Sequence, residues 1–234
     1  MSNSAVSAKA TLVIVDDHPM VRERLSELIS KEPDIAVCGE ADNIREALTL
    51  ISAKKPDAII VDISLQGSSG LELIKDLRAS DTKVPVLVLS MHDEMVYAER
   101  ALQAGAQGYI TKHAASADII RAIRHVLSGE VYLATHVASK ILNRLGTRSA
   151  PNTGISCLTD RELEVFELIG KGRTTAEVAK TLGLSAATVD TYRARIKEKL
   201  GLENASQLAA EAGQWLVHST QTRAQLQQSP LKKA

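Results

Sequence analysis

Five chemically capable side chains stand at the ends of short apolar runs. Asp16 and Asp17 directly follow Leu12–Val15, Asp62 follows Ala58–Val61, Ser90 follows Val84–Leu89, and Lys112 comes just after Gly108–Ile110. Three carboxylates in one place repel one another unless a cation neutralises them. Oxygen ligands with room for water suit Mg²⁺, which is held by one or two carboxylates and keeps several waters. A carboxylate can also act as a nucleophile in phosphoryl transfer and form an acyl phosphate. Catalysis of that step is mostly positioning plus charge stabilisation. Lys112 would neutralise a phosphoryl oxygen as a point charge, and Ser90 could donate a hydrogen bond to another. One aspartate at a strand end is an ordinary loop starter. A set of the right kinds at several strand ends is not.

The elements that must position this set are legible between Leu12 and Leu127. Continuous β-branched runs occur at Leu12–Val15, Ile35–Cys38, Ala58–Val61, Val84–Leu89 and Gly108–Ile110, the pattern of strands buried on both faces of a parallel sheet. Between them lie stretches with helical spacing: Val21, Leu25, Leu28 and Ile29; Ala47, Leu48 and Ile51; Leu71, Leu73, Ile74 and Leu77; Val96, Ala98 and Leu102; Ile119, Ile120, Ile123 and Leu127. Strict alternation predicts an open, doubly wound α/β fold with a five-stranded parallel sheet. The carboxyl ends of its strands share one edge, where ligands bind.

The 234 residues, 44% hydrophobic and 24% charged, fit a soluble chain of one large domain or two ordinary ones. The 28 basic and 28 acidic residues cancel, so no net charge steers the whole chain toward nucleic acid or membrane. Residues 1–128 carry 14 basic against 18 acidic side chains, residues 129–154 carry 3 against 1, and residues 155–234 carry 11 against 9. An acidic front and a mildly basic rear suggest two modules with different partners. The apolar runs are far shorter than the roughly 20 residues that span a bilayer, so no membrane association is expected. The Ser/Ala-rich start, Met1–Ala10, lacks an apolar signal core, which argues against export. Two cysteines, Cys38 and Cys157, support neither a disulfide framework nor a metal knuckle. A reduced, cytoplasmic protein is expected. Four tyrosines, Phe166 and Trp215 are the only aromatics, so Leu, Ile, Val and Ala must build the cores.

Residues 11–128 form the first module, and 129–157 a connecting region. The latter holds a short amphipathic helix over 129–145, with Val137, Ile141, Leu142 and Leu145 on one side, and a polar Gly/Pro-bounded linker. Residues 158–216 carry no strand signal. Thr159-x-x-Glu162, Thr174-x-x-Glu177 and Asn204-x-x-Gln207 read as capping boxes, Ser185 as a further N-cap, and Gly170, Gly172, Gly183 and Gly201 as helix stops. Four short helices in a compact all-α module follow. The Gln/Ser/Lys-rich residues 217–234 read as a disordered tail. On a helix from about Ala186 to Leu200, Val189, Ile196 and Leu200 face inward. Asp190, Thr191, Ala194, Arg195 and Glu198 lie opposite, with Thr188 beside Arg195. Arg193 and Lys197 flank the buried stripe on one side, Tyr192 and Lys199 on the other. Small and polar groups with cations at the margins suit a helix pressed into a DNA major groove, where cations fix register on phosphates and the exposed face reaches base edges.

Val15-Asp16-Asp17-His18-Pro19, Val61-Asp62-Ile63-Ser64-Leu65, Leu89-Ser90-Met91 and Gly108-Tyr109-Ile110-Thr111-Lys112 resemble the receiver domain of bacterial two-component response regulators, over residues 11–128. Leu158–Val165, Ile169–Thr174 and Leu184–Gly201 are similar to the LuxR-type helix-turn-helix that ends NarL/FixJ-type regulators. The resemblance implies a flavodoxin-like receiver and a transcription regulator rather than an enzyme, beyond its own phosphoryl acceptance and release. It implies that a sensor histidine kinase phosphorylates Asp62. Asp16, Asp17, Asp62 and the backbone carbonyl of Ser64 would hold Mg²⁺. Ser90 and Tyr109 would be the switch pair, and Lys112 the cation that neutralises a phosphoryl oxygen. Thr188, Thr191 and Ala194 would face the DNA groove, with Arg193, Arg195, Lys197 and Lys199 as further contacts. Phosphorylation would favour a homodimer on inverted or direct repeat half-sites, which the weak charge of the rear module makes necessary.

Some features stand apart. Gln66 occupies a place where many receivers have Pro, so a looser loop after Asp62 is expected. His92 lies at a position that tunes phosphate lifetime in the family. Cys38 is expected in the core, His18 in the turn after the first strand, and Trp215 against the last helix. Two alternatives compete with the leading reading. A haloacid-dehalogenase-type phosphatase also uses an aspartyl phosphate, but with Asp-x-Asp on its first strand, where this chain has Asp16 and Asp17 adjacent. A phosphate-independent DNA-binding regulator with a vestigial receiver is disfavoured by the presence of all five groups.

Overall fold

The computed structural model describes residues 8–146 and 154–228, with side chains described for 8–143 and 154–218. It divides into two compact units, residues 1–134 and 135–234. In the first, the elements run β1 (Ala10–Val15), α1 (Pro19–Ser30), β2 (Ile35–Ala41), α2 (Ile44–Lys54), β3 (Ala58–Val61), β4 (Ser64–Leu65), β5 (Ser68–Ser69), α3 (Gly70–Ala79), β6 (Val86–Ser90), α4 (Glu94–Ala104), β7 (Gly108–Thr111) and α5 (Ser116–Leu127). Five strands make one parallel sheet in the order β2-β1-β3-β6-β7, the flavodoxin-like order with its switch point beside β1.

The continuous apolar runs are strands because helices cover both faces. Leu12 to Val15 and Ala58 to Val61 are buried without exception. One face packs Leu12, Ile14, Ile60, Leu87 and Leu89 against Leu25 and Ile29 of α1 and Ile119, Ile120 and Ile123 of α5. Each such side chain contributes roughly 1.5–3 kcal/mol on burial. Register then does the positioning. Val15 pairs with Val61, Val61 with Val88, and Val88 with Tyr109. Asp16 and Asp62, one residue on, therefore leave the sheet at one level.

Three departures from the sequence reading occur here. Cys38 is half-buried rather than core. Leu12 pairs with Val37 and Val13 with Gly39, so Cys38 is the extra residue of a bulge in the edge strand. The chain after Asp62 is not loose: β4 and β5 form a small antiparallel hairpin around Gln66-Gly67, and Gly67 supplies the positive φ of 76° that the turn needs. Residues 129–134 are not helical. Tyr132 donates its N–H to Gln107 O and accepts from Tyr109 N–H, both at 3.0 Å. The chain thus stays bridged to edge strand β7 past residue 128, because that edge offers open backbone groups and Gly129 (φ 83°) breaks the helix.

In the second unit α6 (Thr135–Gly146) precedes a short 3₁₀ turn at Gly154–Cys157; α7 (Asp160–Gly170), α8 (Thr175–Leu182), α9 (Ala186–Leu200) and α10 (Ala205–Gln228) follow. Residues 147–153 of the expected linker and 229–234 of the tail lie outside the described residues. Thr159 with Glu162 and Thr174 with Glu177 form capping boxes, and Ser185 accepts the Thr188 N–H. Asn204 caps Gln207, whose own side chain reaches Glu203 N–H instead of closing a box. Leu163, Phe166, Val178, Val189, Ile196, Leu208 and Ala212 make the core, and Trp215 packs against Phe166 with centroids 5.8 Å apart. The tail expected to be disordered from 217 continues α10 to Gln228. Gln, Ala, Arg and Leu are good helix formers, and Pro230 is the first strong breaker after them. Among the described residues no helix is long and apolar enough to cross a membrane.

Candidate functional site

At the carboxyl ends of the strands the structure gathers Asp16, Asp17, Asp62 and Lys112. Backbone bonds hold the first and third in place: Asp16 N–H donates to Ala41 O (3.1 Å) and Asp62 N–H to Val15 O (2.8 Å). Asp16 Oδ1 accepts the His18 N–H at 2.9 Å. Lys112 Nζ lies 2.6 Å from Asp16 Oδ2 and 2.7 Å from Asp62 Oδ2. Asp16 and Asp62 are 2% and 3% exposed, so one ammonium serves two buried carboxylates. Asp17 Oδ1 is buried and makes no hydrogen bond, although His18 Nδ1 lies 2.6 Å away in an unsuitable geometry.

These charges perturb one another. Burial pushes the Asp62 carboxyl above its ordinary value; Lys112 opposes this and Asp16 adds to it. Burial works to lower Lys112, but Asp62 and Asp16 outweigh it and leave the ammonium raised. The pocket therefore carries more carboxylate than its lysine offsets. Ligand atoms of Asp16, Asp17, His18 and Asp62 all lie within 4.8 Å of one another. With an orphaned buried oxygen on Asp17, this donor set fits a hard divalent cation.

Around the pocket, α3 presses close to the strand end. A Cβ on Gly70 would lie 1.9 Å from Asp62 O, so only glycine permits that approach. Ser64, in β4, hydrogen-bonds through Oγ to His92 Nε2 at 2.8 Å. Ser90 is the last residue of β6 and fully buried, and its hydroxyl accepts the His92 N–H at 3.3 Å. Tyr109 is buried too, its phenol donating to His92 O at 3.0 Å. Burial pushes that phenol well above its ordinary range, and the Ser90 hydroxyl pulls the other way. His92 also stacks on Tyr97 of α4, centroids 4.4 Å apart, so Ser64, Ser90, Tyr109 and α4 meet at one residue. The sequence reading singled out His92 without these partners. It missed Gly70, and it missed Arg22, whose Nη1 donates to Asp16 O at 2.5 Å. Helical spacing put Arg22 near the start of α1, but nothing local showed where its guanidinium would turn.

In the second unit α9 buries Val189 and Ile196 and exposes Asp190, Thr191, Ala194, Arg195 and Glu198; Thr188, Arg193 and Lys197 are half-buried. Thr188 shares a hydrogen bond with the capping Ser185, and Thr191 bonds back to Ala187 O. Arg193 reaches Thr175 Oγ1 at 3.3 Å, which ties α9 to the start of α8. Lys199, at the margin of the buried stripe, is exposed and has a partner on another helix. Its ammonium lies 2.6 Å from Glu162 and 3.4 Å from Cys157 O. The capping glutamate of α7 is buried and needs a cation, so Lys199, though exposed, ties α9 to α7.

Comparison with known proteins agrees with both halves. The family described as response regulator receiver domain matches residues 12–124, and that described as bacterial regulatory proteins, luxR family, matches residues 156–212. The chain is 37% identical over 199 residues to the transcriptional regulatory protein UhpA of Salmonella typhimurium, covering 85% of this chain and 95% of that one. It is 36% identical over 206 residues to the transcriptional regulatory protein LiaR of Bacillus subtilis, covering 86% and 95%. A solved LuxR-family two-component response regulator from Aurantimonas superposes with a TM-score of 0.55 at 34% identity, covering 60% of this chain and all of that one. With an acidic rim at the right strand ends and a capped four-helix module later in the chain, the chain belongs to the two-component response regulators of the NarL/FixJ type, in which a receiver domain and a LuxR-type DNA-binding domain act in transcription regulation.

Proposed function

We propose that Asp62 accepts a phosphoryl group from the phosphohistidine of a sensor kinase, in a Mg²⁺-dependent step, and that this modification controls dimerisation and sequence-specific DNA binding. The observation that carries the reading is the lone ammonium of Lys112 between Asp62 and Asp16, with a buried Asp17 oxygen left unbonded beside them. A carboxylate oxygen of Asp62 attacks phosphorus. The P–O bond forms as the P–N bond breaks, and the leaving imidazole nitrogen keeps the electron pair. Lys112 orients Asp62 and can follow a phosphoryl oxygen. Ser90 can turn its hydroxyl to another by giving up the His92 N–H. Mg²⁺, held by Asp16, Asp17, Asp62 and the Ser64 backbone carbonyl, would supply positive charge against the phosphoryl oxygens. Ser90 and Tyr109 share His92 with α4, which supports a path from the acceptor toward the output surface.

On the DNA side, Thr188, Thr191, Ala194 and Arg195 are read as groove-facing, with Arg193 and Lys197 on phosphates. Lys199 is left out. The relatives' description as transcriptional regulatory proteins supports this half. The regulator would act in the cytoplasm, as a homodimer on paired half-sites. The test uses acetyl phosphate with Mg²⁺ and intact mass. The wild type should gain one phosphoryl group and Asp62→Asn none; equal labelling of Asp62→Asn would place the acceptor elsewhere. Equal DNA affinity for Asp62→Ala and for the phosphorylated wild type would remove phosphate control.

A further inference from the structure

We infer that Arg22 is a positioning residue for the cation-binding turn and that Glu40, on the neighbouring strand, aims it. This rests on the reading of Asp16, Asp17 and Asp62 as cation ligands and deepens it. Arg22 lies near the start of α1, and its side chain folds back over the β1–α1 turn, only 17% exposed. Its Nη1 donates to the carbonyl of Asp16 at 2.5 Å. That carbonyl belongs to the peptide joining Asp16 to Asp17, so holding its plane fixes the direction in which Asp17 leaves the chain. Asp16 has other restraints, from Lys112 and from the His18 N–H. Asp17 Oδ1 accepts no hydrogen bond and faces the largely exposed His18 ring at 2.6 Å, so the clamped peptide is the backbone restraint on its position.

Glu40 determines where the guanidinium points. Its Oε2 lies 3.6 Å from Arg22 Nε, and its Oε1 accepts the Ser26 hydroxyl at 2.6 Å. Ser26 stands one helical turn beyond Arg22. A chain of contacts thus runs from α1 through edge strand β2 to the turn that bears the acidic pair. Glu40 also offsets a positive charge that would otherwise lie beside the acidic pocket, free to pair with Asp17 and compete with a metal. The planar fork of arginine serves both partners at once, which a lysine ammonium does less well.

Two roles for Arg22 predict opposite signs. If it acted only as a nearby cation, removing it would tighten metal binding. As a positioning group, its removal weakens binding, as loss of a ligand's supporting partner does. The experiment titrates Mg²⁺ into the ¹⁵N-labelled full chain and follows amide shifts, well below each variant's unfolding midpoint. Wild type should bind, and Asp17→Asn should lose binding. Arg22→Met should weaken Mg²⁺ about tenfold, Arg22→Lys should recover part of the loss, and Glu40→Gln should weaken binding to a smaller degree. Arg22→Met binding as tightly as wild type, or more tightly, overturns the inference. Unchanged binding by Glu40→Gln overturns the part assigned to Glu40, and it also decides the question if Arg22→Met does not fold. Absence of Mg²⁺ binding by the wild type would instead sink the underlying reading of the pocket.

Discussion

At the scale of single residues, the chemistry turns on lysines paired with buried acids. Lys112 is buried with Asp16 and Asp62. Removing one partner of a buried ion pair costs about 3 kcal/mol or more, because the other charge is left uncompensated. Lys112→Met should therefore lower urea stability by about 3 kcal/mol, and added Mg²⁺ should restore part of it; a change within experimental error would show that the ammonium does not compensate the pocket. Lys199 gives a pH prediction. Burial raises the Glu162 carboxyl, but hydrogen bonds from Lys199 and Thr159 outweigh it, and the net position is below the ordinary value. A carboxyl lowered in the folded state stabilises fully above its unfolded value, and that stability is lost as pH falls through the folded one. Thermal melts of the rear module should lose stability progressively below about pH 4.5, and Lys199→Met should flatten that limb while lowering stability at neutral pH. Asp16, Asp17, Asp62 and Lys112 could be picked out from the sequence because strand ends of a doubly wound sheet share an edge. The partner of Lys199 was not legible because a helical wheel shows a margin position, not the glutamate on another helix that pairs with it.

At the scale of elements, close approach matters as much as charge. The start of α3 fits beside Asp62 only because Gly70 has no side chain. Gly70→Ala should destabilise the receiver by about 3 kcal/mol through overpacking and should weaken Mg²⁺ binding by displacing the strand end. Urea denaturation and a metal titration would check both. Thr174 caps α8 in a reciprocal box with Glu177, so Thr174→Ala should cost about 1 kcal/mol, read as a lower melting temperature of the rear module. The main strands, the receiver helices and the caps were legible because period and capping chemistry are local. The β4–β5 hairpin, the bridge of Tyr132 to β7 and the length of α10 were not. Two-residue strands carry no period, and a bridge depends on an edge that exists only once the sheet has formed.

At the scale of the whole molecule, a receiver with excess carboxylate precedes a module with little net positive charge. Phosphate contacts release counterions, so DNA affinity falls with salt in proportion to the number of contacts. Lys197→Ala should weaken binding similarly across sequences and reduce the salt slope by about 1, whereas Lys199→Met should leave the slope unchanged. Gel-shift titrations at several salt concentrations would separate the two residues. The sequence by itself determined the alternation of strands and helices, the strand-end carboxylates and the capped helical module, because these depend on residue type and short-range spacing. Tertiary structure alone decided that Lys112 spans Asp16 and Asp62, that Arg22 clamps the acidic turn, that His92 links Ser64 to Tyr109, and that Lys199 pairs with Glu162. Those partners lie on different elements, and a periodic pattern specifies which face a side chain occupies but not which distant group will meet it.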